Sequence, residues 1–117
     1  DRSCQQARTN VPVLQEGVRK ALQTHRLDAL VYPTWSNPPR LIGDLNTPHG
    51  NNSPRISPPT GFPAFTVPMG YVRGTLPVGL QILGDAWSEP TLIEISYGYE
   101  QLTKHRKQPA RFPELAR

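Results

Sequence analysis

Two short apolar runs separated by a turn sequence stand near the centre of the chain. Ala64 to Val67 and Val78 to Leu83 are rich in β-branched and aromatic residues, which predicts two strands. Arg73-Gly74-Thr75 predicts the turn between them. Because Leu83 makes the second face of its strand partly apolar, we expect that strand to be covered on both sides within a larger sheet. Three prolines are expected just outside the strand cores, where a missing N–H costs no ladder bond: Pro63, Pro68 and Pro77.

Apolar residues recur with helical spacing well ahead of this pair. The pattern predicts a helix over 11–25, with Asn10 able to cap its start and Pro12 close to the first turn. Residues 1–10 are polar and show no period, so no element is predicted there. The apolar stripe consists of Val11, Leu14, Val18, Ala21 and Leu22.

The segment between this helix and the central pair predicts a strand followed by a long loop. The apolar run Leu27 to Pro33 is typical of a buried strand in an α/β layer. From Thr34 to Thr60 the apolar residues follow neither the helical nor the strand period. This predicts an ordered loop that packs over another part of the molecule. Within it, a helical turn at Ser53–Ser57 would end at Pro58-Pro59. The expected apolar anchors of the loop are Trp35, Leu41 and Ile42.

A second helix is predicted after the central pair. Ser88 is a natural N-cap, and Glu89 and Pro90 suit the first turn. The helix should end near Lys104, and residues 104–117 should form an extended tail. Its inward stripe would consist of Leu92, Ile95, Ser96, Tyr99 and Leu102.

Composition restricts the class of protein. A chain of 117 residues fits one domain, and its 14 prolines flank apolar runs, which favours ordered loops over disorder. The net charge of +4 leaves two interpretations: attraction to an anionic partner, or an ordinary surface with a basic tail at 104–107. No helix carries a basic stripe with interleaved aromatics, so the second is favoured and no nucleic-acid partner is expected.

The single cysteine, Cys4, excludes an intrachain disulfide and a cysteine-based metal site. No run approaches 18 apolar residues, so no membrane partner is expected. A cytoplasmic location is the corresponding expectation. The chain begins at Asp1 without a methionine, so it could be a piece of something longer.

No catalytic group can be assigned from the residues alone. A G-x-S-x-G motif is missing from the sequence, and its three histidines lack metal-ligand spacing, so neither a metal nor a cofactor is expected. His25 and His105 fall at predicted helix ends. His49, in the long loop, is the more interesting of the three, with Asp44 the one obvious carboxylate nearby. Paired carboxylates for acid–base chemistry cannot be identified.

Four segments, taken in order, resemble the C-terminal part of the amidase signature family. They are L-D-A-L-V-Y-P-T (27–34), T-G-F-P-A-F-T-V-P-M-G (60–70), G-T-L-P-V-G-L-Q-I-L-G (74–84) and W-S-E-P-T-L-I-E-I-S-Y-G-Y-E-Q-L-T (87–103). The resemblance implies an α/β/α fold around a large mixed sheet and hydrolysis of amide carbon–nitrogen bonds. It also implies that the two central strands are interior and need not be adjacent.

The family's Ser–cis-Ser–Lys triad has no counterpart among these residues. The chain has no Ser-Ser pair, and Lys20, Lys104 and Lys107 stand in helical or terminal contexts unlike that of the catalytic lysine. The resemblance therefore implies that the triad lies upstream and that this chain alone is inactive. An N-terminal amidase segment, or another chain, would complete the sheet.

The resemblance does suggest residues that shape the substrate pocket. In the A subunits of related amidotransferases, an Asp about ten residues before the G-x-P glycine faces the substrate, and Asn51 holds that position here. Asn52, Ser53 and Thr60 would line the same pocket. The alternative is that these polar residues only satisfy backbone groups of the loop. Trp35 would be either a pocket wall or a loop anchor.

The leading hypothesis is a C-terminal amidase segment that contributes strands and part of the pocket for a small-molecule amide. A non-enzymatic binding module, or an inactive remnant of an amidase, is the alternative from a different class. A nucleic-acid binder using the basic tail is a third and weaker hypothesis.

Overall fold

A computed structural model describes residues 2–109 and 111, so most of the tail predicted beyond residue 109 lies outside it. The α/β class predicted from the sequence is confirmed. The elements, in chain order, are α1 Arg2–His25, β1 Leu30–Pro33, α2 Ser57–Thr60, β2 Ala64–Val72, β3 Leu76–Leu83 and α3 Glu89–Thr103.

The three strands form one antiparallel sheet in the order β1-β3-β2. β2 and β3 form a hairpin, and residues 73–75 make its turn as predicted. Arg73 and Gly74 adopt positive φ angles of 51° and 78° there. The suggestion that these strands need not be adjacent is therefore wrong, because a three-residue connection leaves no room for a strand between them.

Two of the prolines expected outside the strands lie inside them. Pro68 of β2 is opposite Gly79, beside a register shift, and Pro77 of β3 is opposite Tyr71. The Gly79 carbonyl accepts a hydrogen bond from the Thr34 N–H (2.8 Å), so the backbone groups of Gly79 point towards β1. Pro68 and Gly79 are therefore a pair without hydrogen bonds between β2 and β3. By alternation Pro77 also points to the β1 side, beyond the last β1 pair. Neither proline therefore removes a ladder bond.

Helix α1 begins nine residues earlier than predicted, and Pro12 lies inside it. Only the second half of α1 packs on the protein: Val18 and Leu22 are buried, whereas the described side chains before residue 11 are exposed. A helix without a packed face needs no apolar period, which explains why the sequence pattern did not reveal the first half.

Hydrophobic clusters cover both faces of β3 near its C-terminal end, as the two apolar faces of that strand predicted. On one face Leu83 packs with α1 and Phe62. On the other face Ile82 packs with Val67 and with Leu92 of α3. The strand predicted over 27–33 is confirmed over Leu30–Pro33, but it is not buried: it lies at the sheet edge and Val31 is 59% exposed.

Three details of the loop and of α3 also differ from expectation. Leu41 and Ile42 are exposed and do not anchor the loop. Pro58 and Pro59 lie in the first turn of α2, where their missing N–H groups cost nothing, so they begin this helix rather than end one. Leu102, in the last turn of α3, is 87% exposed, so the inward stripe of the helix ends at Tyr99.

The start of α3 follows the prediction in position but not in chemistry. Ser88 is the N-cap residue, with Glu89 and Pro90 in the first turn. The Ser88 hydroxyl makes no capping bond and donates instead to the carbonyl of Asp85 (2.7 Å). The hydroxyl therefore stabilises the turn that leads into the helix.

Candidate functional site

The long loop returns to its starting point beside the end of β1. Trp35 and Asn51 form an isolated antiparallel bridge. Ser36 N–H donates to the Gly50 carbonyl (2.8 Å) and Asn52 N–H donates to the Thr34 carbonyl (2.9 Å). These bonds hold the two ends of the loop together, so residues between them project as one unit over the hairpin.

A cavity of about 380 Å³ lies between this loop and β3. Trp35, Asn37, Arg40 and His49 line it from the loop, and the segment 77–79 of β3 lines it from the sheet. A second cavity of about 370 Å³ shares Trp35 and the same β3 segment, and continues towards Thr34 and Thr66. Trp35 is 46% exposed and is a wall of both cavities.

His49 is oriented by its own loop. Its Nδ1 accepts a hydrogen bond from the Asn51 N–H (3.0 Å), so in the neutral ring the proton belongs to Nε2, which is left as a donor. The ring meets Trp35 edge-on with centroids 5.8 Å apart. The Asn37 side chain is held as well, because its Nδ2 donates to the Pro48 carbonyl (2.8 Å).

Gly50 permits this close packing. A Cβ there would approach the Asn37 Nδ2 to 2.9 Å, and the residue has a φ of +66°. A side chain at this position would therefore collide with the loop and strain the backbone.

The structure brings three of the four predicted pocket residues together in one tight turn. Asn51 Oδ1 accepts from the Ser53 N–H (3.0 Å) and from the Ser53 hydroxyl (2.7 Å). Asn52 Nδ2 donates to the Pro33 carbonyl (2.9 Å) and to the Ser36 hydroxyl (2.8 Å). These bonds are made within the loop and to the end of β1. A direct role in substrate binding remains a prediction.

Thr60, the fourth predicted residue, lies elsewhere. It is 4% exposed, its hydroxyl donates to the Ile56 carbonyl (2.7 Å), and the same oxygen accepts from the Phe62 N–H (3.2 Å). It lines a smaller cavity of about 180 Å³ that Gln15 and Arg19 also border. Its position on that separate cavity places it apart from the turn at Asn51–Ser53.

Asp44 is committed to its own turn. One carboxylate oxygen accepts from the backbone N–H groups of Asn46 and Thr47, each at 3.0 Å. Hydrogen bonding from the Thr47 side chain, then from these N–H groups, lowers the pKa of Asp44, and the nearby charge of Arg40 acts in the same direction. A carboxylate held this way stabilises its own turn, and no hydrogen bond joins it to His49 within the described residues.

Asn37 and Arg40 are the site residues that sequence reasoning missed. Nothing in the local pattern distinguishes them from other polar residues of a proline-rich loop. Their position in the cavity depends on the loop folding back onto β3, a contact between residues about forty positions apart. Arg40 is a cation in the cavity lining; the ion pair found within the described residues joins Arg19 and Asp85 instead.

Within the described ranges, no group of three or more His, Cys, Asp or Glu side chains gathers as a metal site. None of the described helices is both long and apolar enough to cross a bilayer. His105 lies beside the Tyr99 ring, with centroids 6.3 Å apart, at the end of α3.

Comparison with known proteins gives a family and a fold. A sequence model of the family described as Amidase matches residues 1–93. The chain is 36% identical over 117 residues to the A subunit of the glutamyl-tRNA(Gln) amidotransferase of Methanosarcina acetivorans, covering 89% of this chain and 22% of that protein. It is 44% identical over 55 residues to the fatty acid amide hydrolase of Arabidopsis thaliana, covering 47% of this chain and 9% of that protein.

The fold is also found in a solved structure. The native peptide amidase of Stenotrophomonas maltophilia superposes with a TM-score of 0.75 and 42% sequence identity, covering 92% of this chain and 21% of that one. The chain therefore spans about a fifth or less of the length of these three proteins.

Proposed function

The chain belongs to the amidase family, and from this premise we propose that it is the C-terminal segment of an enzyme that hydrolyses amide carbon–nitrogen bonds. The observation that carries the proposal is the likeness to the peptide amidase over 92% of the chain, in sequence as well as in fold. Because the chain covers only 21% of that enzyme, the remaining parts of the active site are assigned to a preceding segment. The catalytic Ser–cis-Ser–Lys triad is among them.

The open edge of β1 supports a role in completing a larger sheet. Thr34 bonds towards β3, so by alternation the backbone N–H and C=O of Val31 point away from it. The Val31 side chain is 59% exposed on the same strand. An unpaired strand edge with an exposed apolar residue is suited to pairing with a further strand, and we assign that strand to the upstream amidase segment.

The cavity between the loop and β3 supports a role in binding a small-molecule amide. Its walls are mainly apolar and a few polar side chains converge on it, as is typical of substrate pockets. In this proposal Asn51, Asn52 and Ser53 position the loop and, through the bond from Asn51 N–H to His49, the pocket wall. Thr60 contributes at the separate cavity beside α1.

Complementation tests the proposal directly. The 117-residue chain would be assayed on simple aliphatic and aryl amides, alone and with the upstream portion of the peptide amidase that it resembles. We expect no turnover from either piece and amide hydrolysis from the mixture. Turnover by this chain alone would contradict the assignment of the triad to the upstream part.

A non-enzymatic binding module is the second candidate, and the two hydrophobic clusters of the chain favour it because they give the piece a core of its own. A module predicts a monomer with protected β2–β3 amides. The enzyme segment predicts self-association or tight pairing through the β1 edge. Size-exclusion chromatography and hydrogen exchange on the isolated chain distinguish the two.

A further inference from the structure

We propose that the cavity between the loop and β3 is a subsite for a carboxylate carried on an apolar or aromatic small molecule. For the enzyme, this means amide substrates with a carboxylate on the part that does not react. The extension to substrates rests on the proposed amidase function; the binding site itself does not.

Asn37, Arg40 and His49 are the polar side chains that line the cavity. The Asn37 Nδ2 donates to the Pro48 carbonyl (2.8 Å), which leaves Arg40 and His49 as the two basic side chains of the lining. Arg40 presents a guanidinium, which has donors and no acceptor. His49 presents Nε2–H, since its Nδ1 is occupied by the Asn51 N–H at 3.0 Å. A carboxylate is the acceptor that matches such a set, because Arg and carboxylate groups make short, charge-assisted hydrogen bonds.

Arg40 is the permanently charged side chain in the lining of the cavity. Its lining contains no Asp or Glu side chain. Asp44 is the acidic group near Arg40, and two backbone N–H groups at 3.0 Å hold one of its oxygens within its own turn. The ion pair seen in the described chain belongs to Arg19 and Asp85, away from this loop. Arg40 attracts Asp44 through space, but the described residues show no ion pair or hydrogen bond between the two side chains, so the guanidinium donors of Arg40 remain open to a ligand.

The other residues that line the cavity are suited to a ligand whose remaining part is apolar. Trp35 stands edge-on to His49, and Pro77 and Val78 form the opposite side. About 380 Å³ falls within the range of small-molecule sites, which begins at roughly 300 Å³. The space and the exposed ring of Trp35 suit an aromatic amino-acid derivative.

Fluorescence of a single tryptophan tests this on the chain as it is. Trp87 is 90% exposed, so Trp87→Phe leaves Trp35 as the sole indole with little structural effect. The probes are N-acetyl-L-phenylalanine and its neutral amide, which differ only in the carboxylate. We expect saturable binding of the acid, about tenfold tighter than that of the amide and weakened by added salt.

Substitution of Arg40 tests the assigned contact. Arg40→Gln should abolish the preference for the acid. Arg55→Gln removes an equal charge from an exposed position in the same loop, which is not among the residues lining the cavity, and should leave the preference intact. Amide NMR spectra of both variants would establish that each keeps the parent fold.

Equal affinity for acid and amide, no saturable binding of either, or a preference that survives Arg40→Gln would each overturn the proposal. Its failure is separable from failure of the proposed function. Complementation that restores hydrolysis without any acid preference removes only the carboxylate subsite, whereas binding of the acid without restored hydrolysis removes only the enzymatic role.

Discussion

Tyr32 of β1 and Gln81 of β3 lie directly opposite each other in the sheet, and each buries a polar atom without a hydrogen-bond partner in the described part of the chain. The atoms are the Tyr32 hydroxyl and Gln81 Oε1. Residues opposite each other on antiparallel strands share a face, so these groups lie side by side on the face of the Leu83 cluster, against which Tyr32 packs. This face therefore combines a hydrophobic cluster with two buried polar atoms that have no hydrogen-bond partner among the described residues.

Removing the Gln81 amide should stabilise the isolated chain. A buried group without a partner costs about 1–3 kcal/mol, so we expect Gln81→Met to raise the free energy of unfolding by about 1–2 kcal/mol in urea denaturation. Gln101→Met, at an exposed position of α3, should change it by less than about 0.5 kcal/mol. Destabilisation by Gln81→Met would mean that the amide has a partner.

Tyr32 should make stability fall at alkaline pH. Burial raises the pKa of the Tyr32 hydroxyl above its usual 10.0. A raised pKa in the folded state means that the contribution of this group is fully present below pH 10 and is lost as pH rises through the folded-state pKa. We expect the unfolding free energy to decline above pH 10 and to decline less in Tyr32→Phe, measured by urea denaturation from pH 8 to 11. Identical pH profiles would contradict it.

Two glycine substitutions should have opposite effects. A Cβ on Gly84 would overlap the Ser88 hydroxyl and approach Leu92 Cδ2 to 3.1 Å, so Gly84→Ala should destabilise the chain by about 1–3 kcal/mol. Gly17 lies inside α1, where a Cβ would meet no neighbouring atom within 4 Å, and Gly17→Ala should stabilise by about 0.5–1 kcal/mol. Thermal unfolding of the two variants measures whether each substitution lowers or raises stability. If Gly84→Ala left stability unchanged, the connection between β3 and α3 would have to be able to move.

The contribution of α3 to the stability of the chain should come from the side chains on its inward side. Leu92 is fully buried against Ile82 and Val67, so Leu92→Ala should cost about 2–5 kcal/mol. Leu102→Ala on the same helix should cost less than about 0.5 kcal/mol, because that side chain is mostly exposed. Chemical denaturation compares them. Equal losses would indicate that Leu102 is covered in solution, for example by a second chain.

The sequence predicted correctly those elements in which the spacing of apolar residues along the chain reflects which side of the element is buried. The stripe over 11–25 marks the part of α1 that packs, with Val18 and Leu22 buried. The two central strands and their turn at Arg73-Gly74-Thr75 were also predictable, because turn chemistry and strand alternation act over a few residues, whereas the adjacency of the strands was not predicted. The order of the four resembling segments was enough to predict the family that the comparisons confirm.

The candidate site was less accessible to sequence reasoning. The segment Asn51 to Ser53, which the resemblance places at the pocket, makes hydrogen bonds within the loop and to the end of β1. Thr60 lines a different cavity, and a role of these residues in substrate binding stays a prediction. Arg40 and Asn37 were missed. A loop with no period gives no signal of which of its side chains will face inward.

Sequence alone therefore determined the family, the α/β class and the elements whose amphipathic pattern reflects their burial. Tertiary structure decided which distant residues meet: Trp35 with His49, the loop with β3, and Tyr32 with Gln81. The physical reason is the distance along the sequence over which each effect acts. Periodicity and turn propensity are properties of neighbouring residues, whereas a cavity and a pair of buried polar groups arise only when strand register and loop closure bring separated segments together.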